Sequence, residues 1–465
     1  MSKNKIFILL PDGIGLRNFA YSGFYNHASE QGLDVVFWNN TPFPIADLGF
    51  SEIPMKNAKI NPWTDIYKNV KIQTEIKLNI KRTKDNVYNS YRFPFSYSTI
   101  KKTAKSLLVQ SLSLFYFSDN GLLKIRKKMN KAERKTAYYQ DCIETLKKEK
   151  PEFVFCTNQR PVLAIAPILA AQDLGIPTAT FIFSWDNLPK ATMVIETDYY
   201  FVWSDFMKKE LLFYYPNIKE TQVFVTGTPQ FESHFDKSKI LSKEVFFEQY
   251  DLDKNKKYIC YSGDDVTTCP DDPKYLEDVA IAVRELNKKG DSLGIIFRRC
   301  PVDFSGRFDK VIDNYKDVIK AINPLWEKIK EEWNTILPTQ EDIHLQMNTI
   351  EHTELVVNLG SSMIFDYASF KKPCVYLNYD VANKIDKNWS VSKIYNFVHF
   401  RSMPNKKTVI WLNNAKEIED KIKLGLQESF ETVENAKNWF EIINQHPPED
   451  SSKRICKTIQ TILAN

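Results

Sequence analysis

The stretch VVNLGSSMIFDYASFKKPCVYLNYD, Val356 to Asp380, constrains the fold more than any other part of the chain. Its opening apolar run reads as a strand, Gly360-Ser361-Ser362 turns the chain, Met363–Phe370 has helical spacing, and Pro373 precedes a second apolar run, CVYL. Strand, helix and strand in that order make a parallel β-α-β unit. The turn of such a unit falls at the carboxyl edge of its sheet, where open α/β sheets bind ligands. Unpaired amides at Ser361 and Ser362, with the positive end of the helix dipole, offer a seat for phosphate. Asp366 lies four positions after Ser362, on the same helical face one turn deeper, and its carboxylate suits a diol such as a ribose. A nucleoside diphosphate satisfies both ends. The plainer alternative is that Ser361 caps the helix and Asp366 faces water.

The same alternation runs through the rest of the chain and divides it. KIFILL is a buried strand, PDGIG a turn, and LRNFAYSGFYNHASEQG a helix stopped at Gly32; DVVFWNN, FVFC (153–156), TATFIFSW (178–185), DYYFVWS (198–204) and QVFVTGTP (222–229) follow as strands with helices between them. A second series opens at KYICYSGDD after the charged stretch around 251–257. Asp272 reads as a cap with Pro273 opening a helix, LGIIFRRCP is a strand, and VIKAINPLWEKIKEEW reads as helical despite Pro324. The expected organisation is α/β: a Rossmann-like domain over 1–250 with a basic insertion at about 60–136, a second Rossmann-like domain over 251–430, and C-terminal helices over 431–465 that cross back. Two parallel-sheet domains in tandem imply a cleft between them.

Charge is distributed unevenly. Between residues 66 and 136 there are 17 Lys or Arg against four acids (Glu75, Asp85, Asp119, Glu133), a local balance of +13 in a chain whose net charge is +5. Within that segment SLLVQSLSLFYF (106–117) is apolar and aromatic. Basic residues flanking such a run fit a surface that touches anionic lipid; the alternative is a helix whose apolar side packs in the core while its lysines face water. No nucleic-acid-binding module accompanies the patch, so nucleic acid is not the expected partner. Seven scattered cysteines without a C-x-x-C pair read as buried thiols in a reducing compartment, with no metal site. The apolar run at the start is too short for a signal peptide, and none reaches the ~18 residues a spanning helix needs. The expected location is the cytoplasm, free or peripheral on the inner face of the membrane.

SSMIFDYASFKKP resembles the donor motif of bacterial cell-wall transferases of the CDP-glycerol glycerophosphotransferase type, IIFRRCPVD resembles their R-x-H-P strand end, and VTGTPQF resembles the T-G-x-P of many GT-B enzymes. The resemblance covers most of 150–380 and implies the two-Rossmann GT-B fold. Two departures stand out: Leu359 occupies the place of the acid in T-D-Y-S-S, and Cys300 that of the histidine in R-x-H-P. Both weaken polyol-phosphate transfer and favour sugar transfer. The placing of Asp366 seven residues before Pro373 also resembles the ribose-binding carboxylate of UDP-sugar transferases. The implied donor is therefore a nucleotide-sugar, UDP-linked, and the acceptor a surface polysaccharide or glycolipid. The nucleotide-sugar is a substrate, so no cofactor and no metal are implied, and the expected outcome is inversion.

Glycosyl transfer needs a base for the acceptor hydroxyl and dipoles or cations for the leaving diphosphate. The second role falls to Gly360, Ser361 and Ser362, with Ser262 and Gly263 as a second small-residue turn and Arg298 at the end of what reads as the neighbouring strand. Asp12, in the turn after the first strand, and Asp186, in FSWDNLPK, compete for the base; each is also a common turn or cap residue. Trp185 reads as an acceptor platform, Asn187 as its hydrogen-bonding neighbour, and Arg17 and Asn18 as acceptor contacts or solvated groups. His234 and His399 are further candidates. Polyol-phosphate transfer, 2-epimerisation of a UDP-N-acetylhexosamine, and a noncatalytic sugar-nucleotide-binding subunit remain open alternatives.

Overall fold

The apolar runs become the strands of two parallel sheets in the computed structural model, which describes residues 4–329 and 336–464. The first sheet holds β1 (Asn4–Leu10), β2 (Leu33–Asn39), β3 (Glu52–Pro54), β4 (Phe153–Cys156), β5 (Thr178–Phe181), β6 (Tyr199–Val202) and β7 (Val223–Val225), in the order β3-β2-β1-β4-β5-β6-β7. Between and around them run α1 (Ile14–Phe19), α2 (Phe24–Glu30), α3 (Pro62–Thr83), α4 (Ile100–Phe115), α5 (Asp119–Glu133), α6 (Ala137–Glu149), α7 (Ile165–Asp173) and α8 (Asp205–Tyr214). Ile6 to Leu10 are all buried, because a central parallel strand is covered on both faces, and so the run is continuous rather than alternating.

The second sheet is built from β8 (Lys257–Ser262), β9 (Leu293–Arg298) and β10 (Ile319–Ala321), then, past a two-stranded ribbon of β11 (Glu327–Lys328) and β12 (Ile336–Leu337), from β13 (Val356–Asn358), β14 (Cys374–Leu377) and β15 (Ile410–Leu412). Its order is β10-β9-β8-β13-β14-β15. Its helices are α9 (Lys243–Gln249), α10 (Asp272–Lys288), α11 (Asp309–Asn314), α12 (Gln340–Glu351), α13 (Met363–Ser369), α14 (Val391–Tyr395), α15 (Ile418–Gln427) and α16 (Phe430–Ile443). The chain groups into two units, Met1–Gln230 with Ile443–Asn465, and Phe231–Ile442. The last helix, α17 (Ser451–Ala464), therefore belongs with the first unit, where it packs on α2.

Three local expectations are corrected. The helix after β1 is two short helices, because Ser22 breaks it: its hydroxyl donates to the Asn18 carbonyl at 2.6 Å and accepts from the Phe24 amide at 3.2 Å. The stretch VIKAINPLWEKIKEEW is not helical through Lys328. Ile319–Ala321 pairs with β9 as an edge strand, Pro324 follows it, and Glu327–Lys328 pairs antiparallel with Ile336–Leu337; the end of the stretch lies outside the described residues. Asp272 does not cap α10 but is its first residue, and its carboxylate accepts from the Tyr261 hydroxyl at 2.6 Å and the Asp264 amide at 2.7 Å.

The basic insertion is anchored from within. The Lys71 ammonium of α3, fully buried, donates to Glu75 at 2.6 Å and to the carbonyl of Ala191 at 3.2 Å. Arg126 of α5 donates to Glu196 at 2.8 Å. The Tyr215 ring takes both cations, Lys71 at 5.9 Å and Arg126 at 5.6 Å from its centre. Burial holds the lysine below its ordinary pKa, with Arg126 adding to the effect and Glu75 opposing it. Charges this deep must be paired, and these pairings tie α3 and α5 to the loop between β5 and β6 in one register. Helix α4 packs on α3 with Ser106, Val109 and Ser113 buried and Leu112 half-buried beside them, while Leu107, Leu108 and Leu114 are exposed.

Candidate functional site

Strands β1, β4 and β5 are neighbours, so the loops at their carboxyl ends lie side by side in the first unit. Asp12 sits in the first of these loops. One carboxylate oxygen accepts from the Ile14 amide at 3.2 Å and the other from Asn158 Nδ2 at 2.9 Å. Burial pushes its pKa up to about 6, offset in part by the Ile14 amide, the Arg160 charge and the Asn158 bond. Gly15 explains the second glycine of PDGIG: a Cβ there would lie 2.4 Å from Thr157 Oγ1 and 2.7 Å from Leu10, so only glycine lets α1 start against β4. The second glycine thus serves close packing.

The loop after β4 contributes three residues that the sequence reading missed. Asn158 holds Asp12 and, through its carbonyl oxygen Oδ1, the Arg160 amide at 3.1 Å. Gln159 bonds Asn187 at 3.1 Å and the Phe183 amide at 3.2 Å, which links this loop to the one after β5. Arg160 stands 5.5 Å from the Phe183 ring centre, and Lys68 of α3 feels its charge. The only signal in the sequence is the polar run TNQR directly behind the strand FVFC.

The loop after β5 is more closed. Asp186 accepts from Ser184 and Asn187, each at 2.7 Å, and is paired with Lys190. Trp185 and Asn187 are buried, so the expectation of Trp185 as an open acceptor platform is corrected: its ring belongs to the interior. Glu210 of α8, near enough to Asp186 to feel its charge, is pushed up to about 8, chiefly by burial. Asn18 is buried too, and Arg17 donates to the Gln230 carbonyl at 3.5 Å.

In the second unit the turn after β13 is built as tightly. Asn358 Oδ1 accepts from the Ser361 amide at 2.9 Å, and Ser361 Oγ accepts from the Met363 amide at 3.3 Å. Tyr376 of β14 donates to the Ser361 carbonyl at 2.9 Å. Gly360 has φ +62° and its missing Cβ would meet Phe400 at 2.9 Å, so both backbone and space demand glycine. Ser362 is exposed at the head of α13. Asp366 is buried, and its Oδ1 accepts from His234 Nε2 at 2.7 Å. The reading of Asp366 as a free ribose acceptor thus meets a carboxylate already engaged within its own unit.

Ser262 ends β8 in register with Arg298 of β9, and the Gly263 amide donates to the Arg298 carbonyl at 2.9 Å. A Cβ on Gly263 would press on Phe297 at 3.1 Å. Arg298 does not neighbour the β13 turn, because β8 stands between their strands. Its guanidinium turns to α12, where Nη2 donates to both oxygens of Asp342 at 2.8 and 2.7 Å; Asp342 also accepts from the Leu325 amide and the Trp326 indole. A partner 44 positions away could not be read from IIFRRCP. Arg299 pairs with Asp309 at 3.4 Å, and His399 is buried beside Phe400, the residue that faces Gly360.

No protein-family model matches this chain, and no curated protein matches its sequence. Solved structures do match it along its whole length. The S. aureus MnaA–UDP complex is similar with a TM-score of 0.53 at 12% identity, covering 99% of this chain and 97% of that one. UDP-GlcNAc 2-epimerase from Methanocaldococcus jannaschii gives 0.53 at 14%, covering 98% and 99%. A glycosyltransferase from Rickettsia africae gives 0.52 at 14%, covering all of both chains. The fold is the GT-B fold of two Rossmann-like domains.

Proposed function

We propose that this chain is a nucleotide-sugar enzyme, a glycosyltransferase that moves a sugar from a UDP-linked donor to a surface-polysaccharide or glycolipid acceptor. The observation that carries the reading is the β13 turn. Gly360 is required there twice over, and it brings the Ser361 and Ser362 region to the head of α13 with Ser362 open to solvent. An exposed serine at a helix head suits a diphosphate, although the Ser361 amide, expected unpaired, is taken by Asn358, and a UDP complex among the similar folds supports the choice of nucleotide. Ser361 and Ser362 carry the leaving diphosphate, Ser262 and Gly263 form the adjoining strand end, and Asp366 acts as a positioning residue that ties α13 to His234.

The base is Asp12. Its carboxylate takes the acceptor hydroxyl proton as that oxygen bonds to the sugar's anomeric carbon, and the bond to the diphosphate breaks with its electron pair leaving on UDP. Asp186 is the less available base, because its carboxylate is already engaged by Ser184, Asn187 and Lys190. Arg17, Arg160 and Lys68 give the first unit cations for an anionic acceptor, and the reaction as proposed is inverting. Calorimetry with UDP, CDP, GDP and dTDP tests the donor half: UDP binds tightest, and equal weak binding of all four overturns it.

A second reading, 2-epimerisation of UDP-N-acetylhexosamine, is favoured by the epimerases among the similar folds. Incubation with UDP-GlcNAc and no acceptor separates the two. Appearance of the C2 epimer in the NMR spectrum, with no acceptor requirement, selects the epimerase.

A further inference from the structure

We propose that α4 is a membrane-docking helix that lays its outer face into the interface of an anionic bilayer. The helix is turned inside out relative to the usual surface helix. Its buried stripe is small or polar at two of three positions, Ser106, Val109 and Ser113, while Ile100, Ala104, Leu107, Leu108, Ser111, Leu114 and Phe115 face solvent. Positions 100, 104, 107, 108, 111, 114 and 115 follow one face of a 3.6-residue period, opposite the buried stripe. Exposure is large where it matters: Ile100 92%, Leu107 54%, Leu114 67% and Phe115 80%. The approaches add Phe93 at 76% and Tyr97 at 56%. An apolar face this long, about 22 Å at 1.5 Å per residue, is far more than scattered surface leucines.

Charge decides what covers it. Lys101, Lys102 and Lys105 sit on the first turns of the same helix and are exposed, and Lys81 lies 5.7 Å from the Phe117 ring centre just past its end. The 66–136 segment carries +13 overall, and its most buried cations, Lys71 and Arg126, are already paired inside. Lys101 flanks the stripe, while Lys102 lies on the opposite side of the helix and Lys105 is paired with Asp65, so what remains is net positive charge beside an apolar stripe, the pattern that matches anionic headgroups over acyl chains. Among the described residues no helix is long and apolar enough to cross a membrane, so this docking is peripheral. A line of charge also leads from α4 to the Asp12 loop: Lys105 pairs with Asp65 of α3, Lys68 feels both Lys105 and Arg160, and Arg160 acts on Asp12. The proposal does not rest on the donor-site reading.

The test is co-sedimentation of the full chain with phosphatidylcholine vesicles with and without 30% phosphatidylglycerol, at low salt and at 0.5 M salt. Wild type should pellet with the anionic vesicles only, and less at high salt. L107Q/L114Q/F115Q, all at exposed positions, should keep the wild-type melting curve and UDP binding yet lose at least tenfold in the vesicle-bound fraction. K101Q/K102Q should lose severalfold and flatten the salt dependence. Absence of anionic-vesicle binding, or unchanged binding by the triple variant, overturns the proposal. So does a wild-type dimer in sedimentation velocity that the triple variant abolishes, since the stripe would then be covered by a second copy.

Discussion

Two strand-end turns, one in each unit, solve opposite problems. The Pro11–Gly13 turn holds a carboxylate, Asp12, whose pKa burial has pushed into the range where it can take and release protons. The Asn358–Ser362 turn has no titratable side chain of its own; it is shaped by Asn358, Tyr376 and a glycine in the left-handed region, and it leaves Ser362 exposed. In the proposed reading the first takes the proton and the second the anion, on the strength of a buried carboxyl in one and an exposed serine beside a glycine-only backbone in the other.

The sharpest way to break this division is at Asp12. Asp12→Asn keeps the shape and removes the base, so turnover should fall by ~10²–10⁴ while UDP affinity stays within a factor of about three. Asp186→Asn, at a carboxylate already engaged by three donors, should cost far less. A steady-state assay with parallel calorimetry checks both. If Asp186→Asn abolishes turnover and Asp12→Asn does not, the base lies in the loop after β5.

Next in size is Gly360→Ala. The substitution forces a side chain into φ +62° and against Phe400, Ile394 and Tyr395, which should cost about 2–4 kcal/mol of stability. Denaturant unfolding reads it directly. Unlike Asp12→Asn it should reduce donor binding as well, because the turn itself is deformed. No loss of stability would show that the turn relaxes freely and is not the rigid anion seat assigned to it.

The strands were legible because buried parallel strands are written as unbroken apolar runs, and the β13 turn because Gly-Ser-Ser between such a run and a helix has few other uses. What stayed hidden depends on partners distant in sequence. Arg298 looked like a ligand-reaching cation until Asp342 was seen to occupy it, and Asp366 looked solvent-facing until His234 came to it from 132 positions away. Trp185 reads the same in a sequence whether its ring lies open or in the core. The orientation of α4 was illegible for a different reason: the periodicity of an apolar stripe is identical whether it faces the core or solvent. Asn158 and Gln159 carried no pattern at all, although they tie the loops after β1, β4 and β5 together.

A smaller change sharpens the anion-holding half alone. Ser362→Ala removes one exposed hydroxyl at the head of α13 without touching the Asn358 and Tyr376 bonds that shape the turn. Loss of a hydrogen bond to a charged phosphate costs about 1.5–3 kcal/mol, roughly ten- to a hundredfold in UDP affinity. Calorimetry should find that loss with an unchanged melting temperature. Full affinity in the variant would move the diphosphate away from this turn.

The smallest expected effect is a pH profile, and it tests the proton-moving half without any substitution. Asp12 acts as a base only when ionised, and its pKa near 6 means that kcat/KM should fall about tenfold per pH unit below that value and level off above pH 7. The same group has the opposite sign in stability. Its folded value lies above its ordinary 3.8, so the folded chain binds the extra proton between those limits, and its contribution to stability is complete below pH 3.8 and lost as the pH rises through about 6. Activity therefore rises over the window in which this carboxyl's stabilisation is lost. Measuring wild type against Asp12→Asn isolates Asp12 by difference: Asp272, also pushed up to about 6 by burial, bends both stability curves alike, so only the gap between them follows Asp12. If kcat/KM is flat from pH 5 to 8, the ionisation of Asp12 does not govern the step, and the turn after β1 is a structural feature of the sheet rather than the place where the proton goes.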